Sequence, residues 1–301
     1  MLARLSKTFF CPGKVFVLGE YACLAGKPAL VATTKPHFKL QILPNENFKM
    51  PFHPLSPAGR LLLEHQKILQ KFSFKWADPY SEPIGVGSSS AQFLLSIKAL
   101  LWIKKKPFPS LEKLLAAYWK YSLPQTKFAE RSSFGIRPSG FDLLAQSLGS
   151  VHKISSPQNT KQLGPWRGDA IWGLIFTGKK VKTHEHLLKL KKIGFPRNYK
   201  NMINDLHTIT ENGIDAWEKK NSLSLSKNLK EYQRILSKTE IVPKNFTQLI
   251  EKIQNIPGVL GVKGSGVQGG DSILVLYTQS KKTSIENTAG SLHLKFIPCK
   301  F

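Results

Sequence analysis

GVGSSSAQ, residues 85–92, places two glycines and three serines directly before an apolar run with helical spacing. Gly85 and Gly87 allow a tight turn that few other residues tolerate. A glycine turn that opens a helix presents unpaired backbone N–H groups and the positive end of the helix dipole. We therefore consider residues 85–90 a candidate phosphate seat, in which serine hydroxyls add hydrogen bonds or a ligand for Mg²⁺. On these residues alone, an ordinary helix N-cap or loop remains an open alternative.

The charge balance of the chain predicts attraction to anions. The 301 residues include 44 lysines and arginines against 19 acidic residues, which gives a formal net charge of +25. Nucleic acids, acidic membranes and phosphorylated metabolites all remain open as partners on this ground. The basic residues are spread from end to end and form no basic tail, so solvated lysine faces are the simpler interpretation.

Cysteine usage and hydropathy favour a cytoplasmic protein. Cys11, Cys23 and Cys299 are the three cysteines and form no CxxC pair, so we expect neither a disulfide framework nor a zinc site. The N-terminal apolar run is too short for a signal peptide, and no segment is apolar over the length of a membrane span. We therefore expect a soluble, cytoplasmic protein that does not associate with a membrane.

The pattern along the chain predicts two α+β domains. Strand-like and helical segments alternate without the regular spacing of a doubly wound parallel sheet. The polar segment SSPQNTKQLGP, residues 155–165, is the best linker candidate. We accordingly predict an N-terminal domain over residues 1–157 and a C-terminal domain over residues 165–301.

Three further segments share the character of the first. PGKVFVLGEY (12–21) places Lys14 at the start of a strand and Gly19-Glu20 at its end, and KGSGVQGGD (263–271) precedes an apolar strand. Glycine-rich loops of this kind let the backbone approach a ligand closely, although a plain strand-entry loop is equally open for the last one. In RPSGFDLLAQSLGS (137–150), Asp142 precedes a short apolar helix, where an aspartate commonly serves as a cap or first-turn charge.

Taken together, the four segments resemble the motifs of the GHMP kinases in order and approximate spacing, from Pro12 to about Tyr277. The resemblance implies a two-domain fold with an N-terminal domain like that of ribosomal protein S5 and a C-terminal ferredoxin-like α/β sandwich. GEYACL (19–24), SGFD (139–142) and the final glycine segment are most similar to the phosphomevalonate kinase group. GKPALVA (26–32) and the Pro138-Ser139-Gly140 turn are similar to the mevalonate kinase group instead.

The resemblance implies transfer of the ATP γ-phosphoryl group to a small anionic acceptor, with Mg²⁺. Asp142 would accept or orient the proton of the acceptor hydroxyl, and Lys14 would lie near that carboxylate. Ser89 and Glu130 would bind the metal, although a solvated helix charge remains open for Glu130. The residues expected to wrap the ATP phosphates are Gly85, Val86, Gly87, Ser88, Ser89 and Ser90.

The resemblance also implies an acceptor subsite. Arg137 is the preferred cation there, because a guanidinium pairs well with phosphate or carboxylate oxygens, and Lys263 is a weaker candidate that a surface role would also explain. The remaining expected contacts are Ser139, Gly140, Gly266 and Gly269. GVQGGD departs from the usual GAGGGD of the family, since Val267 and Gln268 are bulkier and Gln268 adopts positive φ less freely than glycine.

These residues leave several functions to weigh. We expect a kinase that phosphorylates phosphomevalonate in isoprenoid precursor synthesis, as a monomer or homodimer that does not bind nucleic acid. Mevalonate or another GHMP-kinase acceptor is the first alternative. A catalytically weak protein that binds a ligand or a partner is the second, suggested by Val267 and Gln268, and a nucleic-acid binder rests on charge alone.

Overall fold

The computed structural model describes residues 6–44, 48–80, 84–122, 138–178, 198–239, 241–266, 268 and 272–301. Its strands are β1 (Lys7–Leu18), β2 (Ala29–Pro44), β3 (Phe72–Ala77), β4 (Val151–Ile154), β5 (Thr160–Gln162), β6 (Ala170–Phe176), β7 (Val259–Ser265), β8 (Ser272–Thr278) and β9 (Lys295–Cys299). Its helices are α1 (Pro57–Glu64), α2 (Gln66–Leu69), α3 (Ser88–Ile103), α4 (Leu111–Ser122), α5 (Phe141–Leu148), α6 (Tyr199–Glu218), α7 (Ser222–Ser237), α8 (Lys244–Gln254) and α9 (Lys282–Ser291). Short 3₁₀ turns lie at Ala22–Ala25 and Gln279–Lys281.

The strands form two antiparallel sheets. The first has the order β1-β2-β4-β5, and β3 pairs with the second part of β2. The second has the order β7-β8-β6-β9, in which β6 pairs antiparallel with both β8 and β9. This arrangement confirms the predicted α+β class, because helices alternate with two antiparallel sheets over the residues that the structure describes.

The chain divides into two compact units that interleave along the sequence. The first unit comprises Met1–Lys14, Lys35–Ser81 and Gly87–Gly149, and the second comprises Val15–Thr34, Glu82–Val86 and Ser150–Phe301. Because β1 and β2 each contribute residues to both units, neither unit is one continuous stretch of the sequence. The domain limits of 1–157 and 165–301 therefore remain a prediction.

The first unit has a core between its strands and its helices. Along β2, Phe38, Leu40 and Ile42 are buried while Lys39 is exposed, which is the two-residue period of a half-buried strand. Helix α3 packs against α1 and α5, and its apolar residues Ala91, Phe93–Leu95, Ala99 and Leu100 are buried. Helix α3, which begins at the candidate phosphate seat, is thus fixed by packing along most of its length.

The second unit is built on the second sheet. Strands β6 and β8 are buried over nearly their whole length, and helices α7 and α8 pack against β7. Trp172 on β6 stacks against Trp217 of α6 with ring centroids 5.9 Å apart. This core holds the strand that leads into the final glycine segment.

Three elements differ from what the local sequence pattern predicts. Leucines and Ile68 at helical spacing predict one helix over residues 58–71, but His65, whose backbone N–H bonds to Leu62, ends α1. The apolar residues 292–297 predict a strand, which the structure places at Lys295–Cys299 because Leu292 caps α9. The segment 155–165, predicted to be a linker, instead forms the turn and second strand of a hairpin, in which β5 pairs with β4.

The cysteines and helices bear on two further expectations. Cys11, Cys23 and Cys299 are free thiols in buried positions, and burial raises the pKa of Cys11 and of Cys299 to about 12. Buried thiols with raised pKa are poor nucleophiles and poor metal ligands. Within the described ranges, none of the helices combines the length and the apolarity that crossing a bilayer requires.

Candidate active site

The turn before α3 is closed by Gly87 in a left-handed conformation. Gly87 has φ 85° and ψ 35° as the N-cap of α3, and no described side chain caps the helix. A Cβ atom at Gly87 would lie 2.9 Å from Lys14 Cγ and 3.1 Å from Ser90 Oγ. Only glycine fits this conformation and this space, and the uncapped first turn offers backbone N–H groups to an anion.

The three serines of the seat have three different environments. Ser90 is fully buried and its Oγ donates to the carbonyl oxygen of Gly87 at 3.0 Å. Ser88 Oγ donates to Asp78 Oδ2 at 3.1 Å. Ser89, the expected metal ligand, is the exposed one of the three. Ser90 therefore shapes the turn, whereas the hydroxyl of Ser89 is accessible to a ligand.

Gly85 and Val86, also expected at the phosphates, fall in the second unit. Gly85 has φ 66°, so it makes a second left-handed turn two residues before Gly87. The side chain of Val86 is buried with 2% exposure. A contribution of Val86 to phosphate binding would therefore come from its backbone.

Asp142 lies in the first turn of α5, and α4 holds the turn before it. Gly140 has φ 74° as the N-cap of α5, and a Cβ there would lie 2.1 Å from Leu115 Cδ1 of α4. Trp119 Nε1, also on α4, donates to the carbonyl oxygen of Pro138 at 2.8 Å. These contacts fix the Pro138-Ser139-Gly140 turn and hence the start of α5.

The carboxylate of Asp142 is half-buried and close to a buried phenol. Asp142 Oδ1 accepts a hydrogen bond from the N–H of Leu143 at 3.0 Å. The pKa of Tyr118 on α4 is raised, mainly by burial and further by the negative charge of Asp142. Lys14, with 7% exposure, lies beside Gly87 in the same unit.

Lys263, an expected substrate contact, is enclosed in a buried ion pair. Its side chain is fully buried, and Nζ donates to Glu20 Oε1 and to the carbonyl oxygen of Gly264, the latter at 2.6 Å. Glu20 Oε1 also accepts from the N–H of Gly266 at 3.3 Å. This burial favours a structural role for Lys263 over direct contact with an acceptor, because the ammonium is already satisfied within the unit.

Gln268 has a left-handed backbone conformation, which residues with a Cβ atom disfavour. It has φ 57° and is fully buried. Its Nε2 donates to the carbonyl oxygen of Gly264 at 2.7 Å, and the N–H of Gly264 donates to Gln233 Oε1 at 2.8 Å. The hydrogen bond to Gly264 offsets part of the cost of a left-handed glutamine, and both polar groups of Gly264 are bonded to side chains.

Comparison with known proteins identifies the architecture. No protein-family model matches the chain, and no curated protein matches it in sequence. A Streptococcus pneumoniae phosphomevalonate kinase in complex with phosphomevalonate and AMPPNP matches with a TM-score of 0.74 and 16% identity, over 97% of this chain and 99% of that chain. A Lactococcus lactis galactokinase with galactose matches with a TM-score of 0.76 and 14% identity, over 99% and 94% of the two chains. A Methanococcus jannaschii mevalonate kinase matches with a TM-score of 0.70 and 14% identity, over 99% of each chain.

The chain has the fold of the GHMP kinases. The match extends over almost the whole length of both chains in each comparison, so it includes both predicted halves of the fold. The expected GHMP-kinase architecture, and with it the fold class, is confirmed. At 14–16% identity these matches show the fold alone.

Several expected GHMP-kinase residues cannot be placed. Glu130, Arg137 and Gly269 lie outside the described residues, as does Val267 of the departing motif. Among the residues that the structure does describe, no group of three or more histidine, cysteine or acidic side chains could hold a metal ion. That finding is compatible with a magnesium site of the nucleotide-dependent kind, since Mg²⁺ typically takes one or two protein ligands together with phosphate oxygens and waters.

Sequence reasoning missed two polar side chains at the phosphate seat. Asp78 bonds to Ser88, and Gln146 of α5 donates to the carbonyl oxygen of Gly87 at 3.0 Å. Asp78 follows β3 in an unremarkable loop, and nothing local distinguishes it. The sequence does contain a signal for Gln146, because this polar residue interrupts the apolar run of α5 one turn after Asp142.

Proposed function

We propose that this protein is an ATP-dependent small-molecule kinase that transfers the γ-phosphoryl group to a small anionic acceptor. One observation carries the proposal: Gly87, the N-cap of α3 that has no side-chain cap, lies in the same compact unit as Lys14 and the Asp142 helix, with the side chain of Lys14 against Gly87. Phosphoryl transfer depends on positioning and charge neutralisation. The first turn of α3, Lys14 and Asp142 supply the groups for this: N–H donors for an anion, a buried cation and a half-buried carboxylate. The GHMP-kinase fold supports this choice.

The residues take distinct roles in this proposal. The N–H groups of the first turn of α3 bind the ATP phosphates, and Lys14 neutralises negative charge beside them. Asp142 orients the acceptor hydroxyl and accepts its proton. Ser89 and Glu130 hold Mg²⁺, which supplies further charge neutralisation on the phosphates when bound. Arg137, Ser139 and Gly140 are the acceptor contacts that we propose, while the acceptor contacts expected of Gly266 and Gly269 remain what the family resemblance implies.

Phosphomevalonate is the acceptor that we propose, with mevalonate as the alternative. The similarity to a phosphomevalonate kinase complex supports the first, and the similarity to a mevalonate kinase supports the second. The motifs that resemble the phosphomevalonate kinase group, GEYACL and the SGFD block, favour the first.

An acceptor panel tests the proposal directly. ADP release would be followed with ATP and Mg²⁺ in the presence of mevalonate, phosphomevalonate, homoserine or galactose in turn. We expect turnover with phosphomevalonate at a kcat/KM at least about tenfold above that for any other acceptor. Turnover with mevalonate alone would overturn the acceptor assignment. Absence of turnover with all four, together with salt-sensitive nucleic-acid binding that survives saturating ATP, would favour the nucleic-acid binder.

A further inference from the structure

Gln146 joins three parts of the first unit through one side-chain amide. The residue lies near the middle of α5 with 2% exposure. Its Nε2 donates to the carbonyl oxygen of Pro12 at 2.9 Å and to that of Gly87 at 3.0 Å. A side-chain amide has two N–H donors, and here each one bonds to a backbone carbonyl of a different segment.

Each partner of Gln146 belongs to a segment with a proposed role. Pro12 lies two residues before Lys14 on β1, and Gly87 is the N-cap of α3. Gln146 itself follows Asp142 by four residues on α5, so the two side chains lie on one face of that helix. The amide therefore connects the strand of the cation, the turn of the phosphate seat and the helix of the carboxylate.

The packing around Gly87 shows how closely the three segments meet. A Cβ atom at Gly87 would lie 3.0 Å from Gln146 Nε2 and 2.9 Å from Lys14 Cγ. Gln146 Oε1 is also buried and has no hydrogen-bond partner among the described residues. Because this oxygen has no hydrogen-bond partner, the bonds that tie Gln146 to its neighbours are the two that its Nε2 donates.

We infer that Gln146 is a positioning residue, which holds the phosphate seat and the Lys14 strand in register with Asp142. The kinetic part of this inference rests on the proposed function, whereas the ordering of the two backbone segments does not. Without the two hydrogen bonds, Gly87 and Pro12 lose a shared anchor while α5 and its carboxylate remain. The seat would then shift relative to Asp142, and small displacements of reacting groups have large effects on rate.

The test compares Gln146→Met with a matched control. Methionine keeps the length and approximate volume of the side chain but removes both donors. Gln254→Met is the control, since Gln254 Nε2 donates to the carbonyl oxygen of Val259 at 3.4 Å in the second unit. Steady-state kinetics on both variants would be combined with hydrogen exchange of the peptides that contain residues 12–14 and 84–92.

We expect Gln146→Met to lower kcat by about 10- to 100-fold, with KM for the acceptor changed by less than about threefold. Hydrogen exchange should accelerate in both peptides, and Gln254→Met should change neither kcat nor that exchange. Wild-type kcat and exchange in Gln146→Met would overturn the inference. A kcat loss that matches the unfolded fraction, measured by circular dichroism on the same sample, would also overturn it.

A measurement on the unmodified protein keeps the inference testable if Gln146→Met does not fold. Both side-chain amide protons of Gln146 should exchange with solvent at least about tenfold more slowly than those of the exposed Gln162. Equal exchange rates would contradict the inference. If the wild-type protein releases no ADP with any acceptor, the proposed function fails, and the exchange data still decide whether Gln146 orders the seat.

Discussion

The phosphate seat and the final glycine segment are both fastened by a buried glutamine, but the glutamines come from different places. Gln146 reaches Gly87 from a separate helix, 59 residues away in sequence, whereas Gln268 bonds to Gly264 only four residues away. In both, Nε2 donates to a glycine carbonyl and Oε1 has no partner among the described residues. The shape of the phosphate seat thus depends on the packing of α5, whereas the shape of the final glycine segment depends largely on a residue within that segment.

The two regions also differ in what they leave available to a ligand. At the seat, Ser89 is exposed and the start of α3 has no side-chain cap within the described chain. In the second region, Lys263, Glu20 and Gln268 are buried and bond to one another or to the loop backbone. The phosphate seat therefore leaves polar groups accessible to a ligand, whereas the final glycine segment is held by buried side chains that bond to one another or to its backbone. This contrast supports the proposal that the phosphate seat binds an anion, and it favours a structural role for Lys263.

Asp142→Asn gives the largest expected effect, because it removes the proton acceptor without altering side-chain size. We expect the ADP release rate to fall by about 10²- to 10⁴-fold while nucleotide affinity stays within about threefold of the wild type. Coupled kinetics and a nucleotide titration measure the two quantities. The matched control is Asp215→Asn, which alters an exposed i,i+4 pair with Lys219. More than about a tenth of the wild-type rate in Asp142→Asn would rule out Asp142 as the catalytic carboxylate.

Breaking the buried ion pair tests whether the second region is structural. Lys263→Met leaves the Glu20 carboxylate buried without its charge partner, so the free energy of unfolding should fall by about 3–5 kcal/mol. The Glu20→Gln/Lys263→Met double variant should lose less than the sum of the single variants, since no buried charge is left unpaired. Urea unfolding gives all three values.

The exposed pair of Lys219 and Asp215 supplies the reference for this measurement. Lys219→Met should cost no more than about 0.5 kcal/mol, because solvent screens an exposed i,i+4 pair. If Lys263→Met proves equally mild but raises KM for the acceptor, then Lys263 contacts the acceptor. The proposed contrast between the two regions would then be wrong.

The sequence predicted the local features of the site better than its long-range contacts. The turn at Gly87, the helix after it and the position of Asp142 at the start of α5 follow from glycine placement and apolar period, and the structure has them. The pairing of Lys263 with Glu20 joins residues 243 positions apart, and no local pattern encodes it. The family resemblance assigned Lys263 to the acceptor subsite, with a surface role as the alternative, whereas in the structure the side chain is fully buried.

Gln268 shows a different limit of prediction. Its bulk and its reluctance to adopt positive φ were evident from the sequence, and the structure has it at φ 57°. What the sequence could not provide was the partner, because a side-chain amide finds a carbonyl only once the backbone has turned toward it. The hydrogen bond to Gly264 makes this departure from the family pattern compatible with an ordered turn.

Gly87→Ala and Gly266→Ala form a pair with smaller expected effects, because both glycines have positive φ but different surroundings. Their φ values are 85° and 81°, so each alanine should cost about 1–2 kcal/mol in backbone strain. A Cβ at Gly87 meets Lys14 Cγ and Gln146 Nε2 at 2.9 and 3.0 Å, whereas a Cβ at Gly266 meets nothing within 4 Å. The difference between the variants therefore measures crowding at the seat.

We expect Gly87→Ala to unfold at lower urea than Gly266→Ala and to weaken nucleotide binding by about tenfold or more, since the seat must open to admit the methyl group. Gly266→Ala should show the strain cost with a smaller loss of nucleotide affinity. A nucleotide titration and urea unfolding on both variants provide the comparison. Equal losses of affinity would mean that the seat does not depend on the close packing of Gly87, Lys14 and Gln146. The phosphate seat and the final glycine segment would then differ only in the exposure of their side chains, since packing against α5 would have no special role at the seat.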